Sequence, residues 1–305
     1  MSLLLVGSLL LAPVEAPGPT VWAEAGGRPW TGCRERERQA EGILQRVSTQ
    51  SEESSGESPW AALARDCPNA PSVLVLAAMR ELVKVPSYPP QIDLIDGLPR
   101  LAEIYRESRL QARTWLTRAL IEAERRGEPP PVLTYYFLGY AALGLGDAST
   151  ARAALAEAER RGEVEGWRAD RAAAVAALLA GELPRALELA YRARELAPTA
   201  QRATSVYVLA LVYDRAGAPE TAQRELLALR APGSERGAVD TLLPLHERLY
   251  LNALEQQAAR NNGSAARLWE AYLALPEPEA PERALAERRL AELRPRGSLV
   301  PGVGR

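Results

Sequence analysis

The chain holds one histidine, His246, and two cysteines, Cys33 and Cys67, and these three residues bound the chemistry open to it. A transition-metal site needs several His, Cys or carboxylate side chains at ligand spacing. His246 stands between Leu245 and Glu247, and no CxxC, HExxH or calcium-loop pattern accompanies it. Ser-His-Asp catalysis would have to use the same histidine, and there is no GxSxG nucleophile elbow. There is no GxxxxGK[ST] phosphate loop, and Gly144-Leu145-Gly146 falls at the end of a helical pattern, where it cannot cradle a phosphate. His246 therefore reads as an ordinary helix-start residue. The many neighbouring carboxylates read as solvated helix faces. The expectation is a non-enzymatic chain with no cofactor and no metal.

The elements that carry these residues follow from composition. Apolar residues make up 47% of the 305 positions, enough for a sizeable core, and aromatics only 6%. Ala, Leu, Glu and Arg dominate, all strong helix formers, while the Val/Ile/Thr runs that strands favour are missing. The predicted class is all-α. A net charge of -2 gives no general attraction to nucleic acid or anionic lipid, so no nucleic-acid partner is expected. The positive charge is nearly all arginine, Lys84 being the single lysine, as a GC-rich genome produces.

An internal repeat orders the helices. Glu122-Ala-Glu-Arg-Arg-Gly-Glu128 recurs letter for letter 35 residues later as Glu157 to Glu163. From Val132, residues Tyr135, Leu138, Gly139 and Ala142 share a helical face; Gly146-Asp147 turns the chain; Ala151, Leu155 and Ala158 form a second face. From Trp167 the same order returns as Ala173, Ala174 and Ala177, then Gly181-Glu182, then Ala186, Ala190 and Ala193, with Pro198 closing the unit. From Ala203 it returns again as Leu209, Ala210 and Tyr213, then Gly217, then Ala222, Leu226 and Leu229. Gly139, Ala174 and Ala210 are the predicted points of close helix contact. Gly146, Gly181 and Gly217 are the predicted helix ends, where a left-handed residue is commonly needed.

This pattern resembles the tetratricopeptide repeat (TPR) family, on Tyr135, Leu138-Gly139, Ala151, Ala158, Pro198 and the Gly-Asp or Gly-Glu turns. The resemblance implies a right-handed superhelical α-solenoid of antiparallel helix pairs, covering 132–165, 167–200 and 203–236 clearly and 246–279 weakly. The weak unit turns at Asn261-Asn262-Gly263, follows an insert from Pro232 to Leu243, and is capped by a terminal helix over 281–293. It further implies a concave groove lined by the first helix of each pair, suited to a peptide or helix of a protein partner. The groove candidates are Tyr136, Tyr140, Arg168, Arg171, Tyr207, Asp214, Arg215 and Tyr250. Tyr and Arg are enriched at binding hot spots. The family's Lys/Asn clamp for a C-terminal carboxylate is disfavoured, since the clear repeats hold neither residue.

Before the clear repeats the reading is coarser. Residues 1–25 pair a short Leu-rich run with Ala23-Glu24-Ala25, a small-x-small site, and read as a signal peptide, although no basic residue precedes the run. Residues 26–97 form an N-terminal helical region of degenerate units. Helices over Glu35–Val47 and Pro59–Asp66, folded as a hairpin, would bring Cys33 and Cys67 to one end, where an exported chain would join them in a disulfide. A helix over Ala70–Val83, a break at Val85 to Pro90, a turn at Asp96-Gly97 and helical periodicity over Leu98–Arg126 follow. The solenoid spans 98–294 and 295–305 is a disordered tail. No segment after the leader is long and apolar enough to cross a membrane. The functional expectation is an interaction scaffold or adaptor in a bacterial cell envelope, periplasmic or extracellular. The alternatives are a cytoplasmic assembly factor or regulator and, further off, an enzyme or a lipid or glycan binder on a helical frame. The oligomeric state is left open.

Overall fold

Every regular element of the computed structural model is helical; it describes residues 33–49, 67, 69–83, 94–229, 239, 241–276 and 280–293. The α-helices are α1 (Cys33–Thr49), α2 (Pro71–Val83), α3 (Leu94–Arg126), α4 (Thr134–Gly144), α5 (Ala148–Arg160), α6 (Gly166–Leu179), α7 (Leu183–Leu196), α8 (Arg202–Arg215), α9 (Pro219–Ala228), α10 (Leu245–Ala258), α11 (Asn262–Ala274) and α12 (Ala280–Leu293). The chain is all-α among the described residues, as the composition predicts. The predicted leader, the Pro59–Asp66 helix and the tail lie outside them.

Helices adjacent in sequence pack on one another throughout, and the first helices of successive pairs, α4 on α6 and α6 on α8, also touch. The α4–α5 pair shows why. Gly146 adopts φ +74°, its N–H and that of Asp147 turn back onto Leu143 and Ala142, and the Asp147 carboxylate then accepts the Thr150 N–H at 3.0 Å to start α5. Partial burial opposes the Asp147 charge, but the Thr150 and Ser149 donors hold its carboxyl below the usual range. A Cβ on Gly139 would meet the Leu155 side chain at 2.7 Å, so only glycine allows this approach of α4 to α5. Ala174 and Ala210, the equivalent positions, are fully buried. Gly181 and Gly217 also adopt positive φ.

Three features differ from the sequence expectation. Asp96-Gly97, expected as a turn, lies inside α3, a single helix of 33 residues that also holds Pro99. Burial of Leu98 and Tyr105 on this stretch outweighs its turn propensity. The weak unit turns one residue earlier than expected: Asn262 and Gly263 belong to α11, and the left-handed position is Arg260, at φ 60°. The end of the expected insert is not a spacer, because Val239, Leu242 and Leu243 are fully buried.

At the N-terminal side, Cys33 and Cys67 are joined by a disulfide, with their Cα atoms 5.6 Å apart. Arg126 extends this anchoring. It pairs with Glu37 of α1 at 2.9 Å and donates to the Asn69 carbonyl at 3.0 Å.

Candidate functional site

The eight residues predicted to line a groove come together, but in the interior rather than on an open face. On α4 the Tyr136 and Tyr140 hydroxyls lie 2.6 Å apart with their rings tilted at 4.6 Å. On α6 the Arg171 guanidinium donates to the Tyr140 hydroxyl at 3.2 Å and to Thr204 of α8, and stacks over the Trp167 ring. Arg168 stacks over the same ring and reaches Gln201 at 3.4 Å. On α8, Tyr207 donates to Glu255 of α10 at 3.2 Å. Asp214 accepts from the Tyr250 hydroxyl at 2.6 Å and from Arg289 of α12. Arg215 lies 3.9 Å above the Tyr250 ring and pairs with Glu247 at 2.8 Å and Glu282 at 3.1 Å.

The polar row thus runs from pair to pair through side-chain contacts within and between helices, although Nε of Arg171 and of Arg215 are buried without a hydrogen-bond partner. Seven of the eight are buried as whole residues, and the Arg215 side chain is 4% exposed. The electrostatics are those of an interior. Burial first, then the Tyr140 neighbour, pushes the Tyr136 phenol up, and burial with the Asp214 charge does the same to Tyr250. Burial works against the charge of Arg215, but Glu247 and the surrounding groups hold it firmly protonated. Burial raises Tyr272, beside Arg215, to about 12.

A second network, absent from the sequence reading, closes the fold across its width. Arg109 of α3 is fully buried. It donates to the Leu82 carbonyl at 2.6 Å, the Thr241 carbonyl at 3.1 Å and the Tyr105 hydroxyl at 3.0 Å, and stacks on the Tyr105 ring. Tyr105 in turn donates to the Leu243 carbonyl, and α3 packs against α11. Every acceptor of Arg109 is neutral. Its sequence signal was only an arginine at a position where the helical period calls for an apolar residue.

Beside this closure lies a cavity of about 870 Å³. Its walls are the first half of α3, the ends of α4 (Gly144 to Gly146) and α6 (Leu178 to Gly181), the start of α10 (Pro244 to Glu247) and Glu282 of α12. None of the eight groove candidates lines it. His246 does, with its Nε2 3.7 Å from a Glu247 oxygen. Its neighbours offer no second imidazole or thiol, and among the described residues no group of three or more His, Cys, Asp or Glu is placed to hold a metal ion. Nor is any described helix long and apolar enough to cross a membrane.

No protein-family model, curated protein or solved structure matches this chain.

Proposed function

We propose that this chain is a non-catalytic interaction scaffold, a TPR-like solenoid of antiparallel helix pairs that takes a peptide or helix of a protein partner on its concave side. The observation that carries this reading is the 870 Å³ cavity framed by the ends of α4 and α6 and by α3 and α10. It has the size of sites that take small ligands or a few side chains, and it is built from repeat ends rather than from a constellation of nucleophile, base and orienting group. The buried Tyr/Arg row supports the solenoid side of the proposal: it fixes one first-helix face against the next and so sets the curvature that encloses the cavity. In this reading the partner enters at the cavity, while the row acts as an internal spine.

The Cys33–Cys67 disulfide supports placement in an oxidising compartment, the bacterial periplasm or cell exterior. Trapping thiols during extraction from the native host tests this. An unmodified pair supports export, and two labelled cysteines would move the proposal to a cytoplasmic assembly factor.

The scaffold reading is tested by affinity capture of the full chain from its native host, beside a variant that blocks the cavity, Ala102→Trp. Ala102 is half-buried and lines the cavity. The expected result is a stoichiometric partner that is lost with the variant. Partners retained equally by both chains would remove the cavity from the reading.

A further inference from the structure

We infer that the cavity between α3 and α10 recognises a basic peptide segment, with a guanidinium or ammonium group seated against Glu247. This deepens the proposed function and rests on it. Three independent observations converge. The first is a buried acceptor in want of a donor. Glu247 is 2% exposed and lines the cavity; one of its oxygens is held by Arg215, and the other, Oε2, has no hydrogen-bond partner. A buried carboxylate oxygen left unsatisfied is costly, and a charged donor entering the cavity relieves that cost.

The second is the charge balance around it. Arg215 pairs with both Glu247 and Glu282. At the rim Glu103 and Glu107 of α3 are exposed, and among the described lining residues the one arginine is Arg106. His246 stands beside Glu247 on the wall, and Tyr105 also lines the cavity. The third is the backbone. Helices α4 and α6 both end on the cavity, at Gly144 to Gly146 and Leu178 to Gly181. Helix C-termini carry partial negative charge and favour cations within their last turn. The lining therefore presents two helix ends and a surplus of carboxylates to whatever enters. An acidic segment would meet net repulsion from this lining, and a neutral one could donate to Glu247 but would leave the carboxylate charge uncompensated. A guanidinium fits best, because its planar fork matches a carboxylate edge.

The test uses fluorescence anisotropy with three labelled octapeptides, alternating Arg-Ala, Gln-Ala and Glu-Ala, on the full chain at 50 mM salt. The Arg-Ala peptide should bind, the Glu-Ala peptide should not, and the Gln-Ala peptide should bind at least tenfold more weakly. Glu103→Gln with Glu107→Gln, both on an exposed rim, should weaken Arg-Ala binding about 3–10-fold. Glu188→Gln with Glu195→Gln, exposed carboxylates of α7 away from the cavity, should leave it unchanged. Ala102→Trp should abolish it. Equal binding of the Gln-Ala peptide, still lost in Ala102→Trp, would overturn the basic-ligand inference and leave the peptide-binding reading intact. Binding that ignores Ala102→Trp would overturn both. Absence of binding by all three would overturn the inference alone, the capture experiment still deciding the wider reading. Displacement of Arg-Ala by equimolar spermidine would reassign the site to a small polycation and overturn the peptide as its occupant.

Discussion

A Cβ built on Gly144 would lie 2.6 Å from Nε of Arg109. The last residue of α4 is side-chain-free because the guanidinium of α3 occupies that space. Gly144→Ala must push aside a fully buried arginine that holds the Leu82 and Thr241 carbonyls. The expected loss is about 1–3 kcal/mol of stability, as overpacking typically costs, read as a lower midpoint in urea unfolding. A loss below about 0.3 kcal/mol would mean that Arg109 relocates freely and the closure is loose.

Asp214 compensates Arg289 in the interior while accepting the Tyr250 hydroxyl. Removing one partner of a buried pair strands the other, at about 3–5 kcal/mol. Asp214→Asn should therefore be among the most damaging single substitutions. Asp214→Asn with Arg289→Leu should recover a large part of the loss, since the stranded charge is gone. Thermal unfolding of the two variants side by side checks this; equal losses would assign the damage to Tyr250 alone.

Glu163 is buried beneath α4, where its carboxylate accepts the Tyr136 N–H at 3.1 Å and pairs with Arg161 at 3.2 Å. Burial is the larger influence and raises its pKa above 4.5 despite these donors. A raised value means that the fold holds this proton more tightly than the unfolded chain. The stability this provides is complete below about 4.5 and is lost as pH climbs through the raised value. Glu163→Gln keeps the shape without the titration. The difference in melting temperature between Glu163→Gln and wild type should therefore move in favour of the variant between pH 4 and pH 7, and a flat difference would refute it.

Arg260 turns α10 into α11 from the left-handed region, and its side chain is exposed. A non-glycine residue there costs about 1–2 kcal/mol, and glycine returns part of this through its freer unfolded chain. Arg260→Gly should stabilise the protein by about 0.5–1 kcal/mol, measured as a rise in the urea midpoint. A destabilised variant would show that the arginine makes a contact worth more than its backbone strain.

The helices and most of their turns were legible because they are written in local signals. The recurrence of Gly146, Gly181 and Gly217 announces three left-handed helix ends, and Gly139 announces a close contact that the Leu155 distance bears out. What escaped was tertiary. Asp96-Gly97 reads as a turn until Leu98 and Tyr105 find burial. Arg260 fills a glycine's place with no glycine to signal it. Tyr136, Arg171, Tyr207 and Tyr250 were picked out by their place on the first helix of each unit, yet that place cannot distinguish a side chain facing solvent from one facing the next helix pair. Arg109 was invisible for the same reason: two of its acceptors are the backbone carbonyls of Leu82 and Thr241, 27 and 132 residues away, which carry no sequence letter.

The same long reach bears on how the molecule comes apart. In a linear stack where each pair touches only its neighbours, the ends fray one unit at a time. Here the Tyr105–Leu243 and Arg109–Thr241 hydrogen bonds span 138 and 132 residues, so the last pairs cannot peel away without dismantling the grip of α3 on the first. Chain entropy then opposes forming that clasp early and rewards it only once the intervening helices are in place. Such a clasp favours concerted over stepwise unfolding and slows folding, drawing a repeat-like chain toward the cooperativity of a single closed domain.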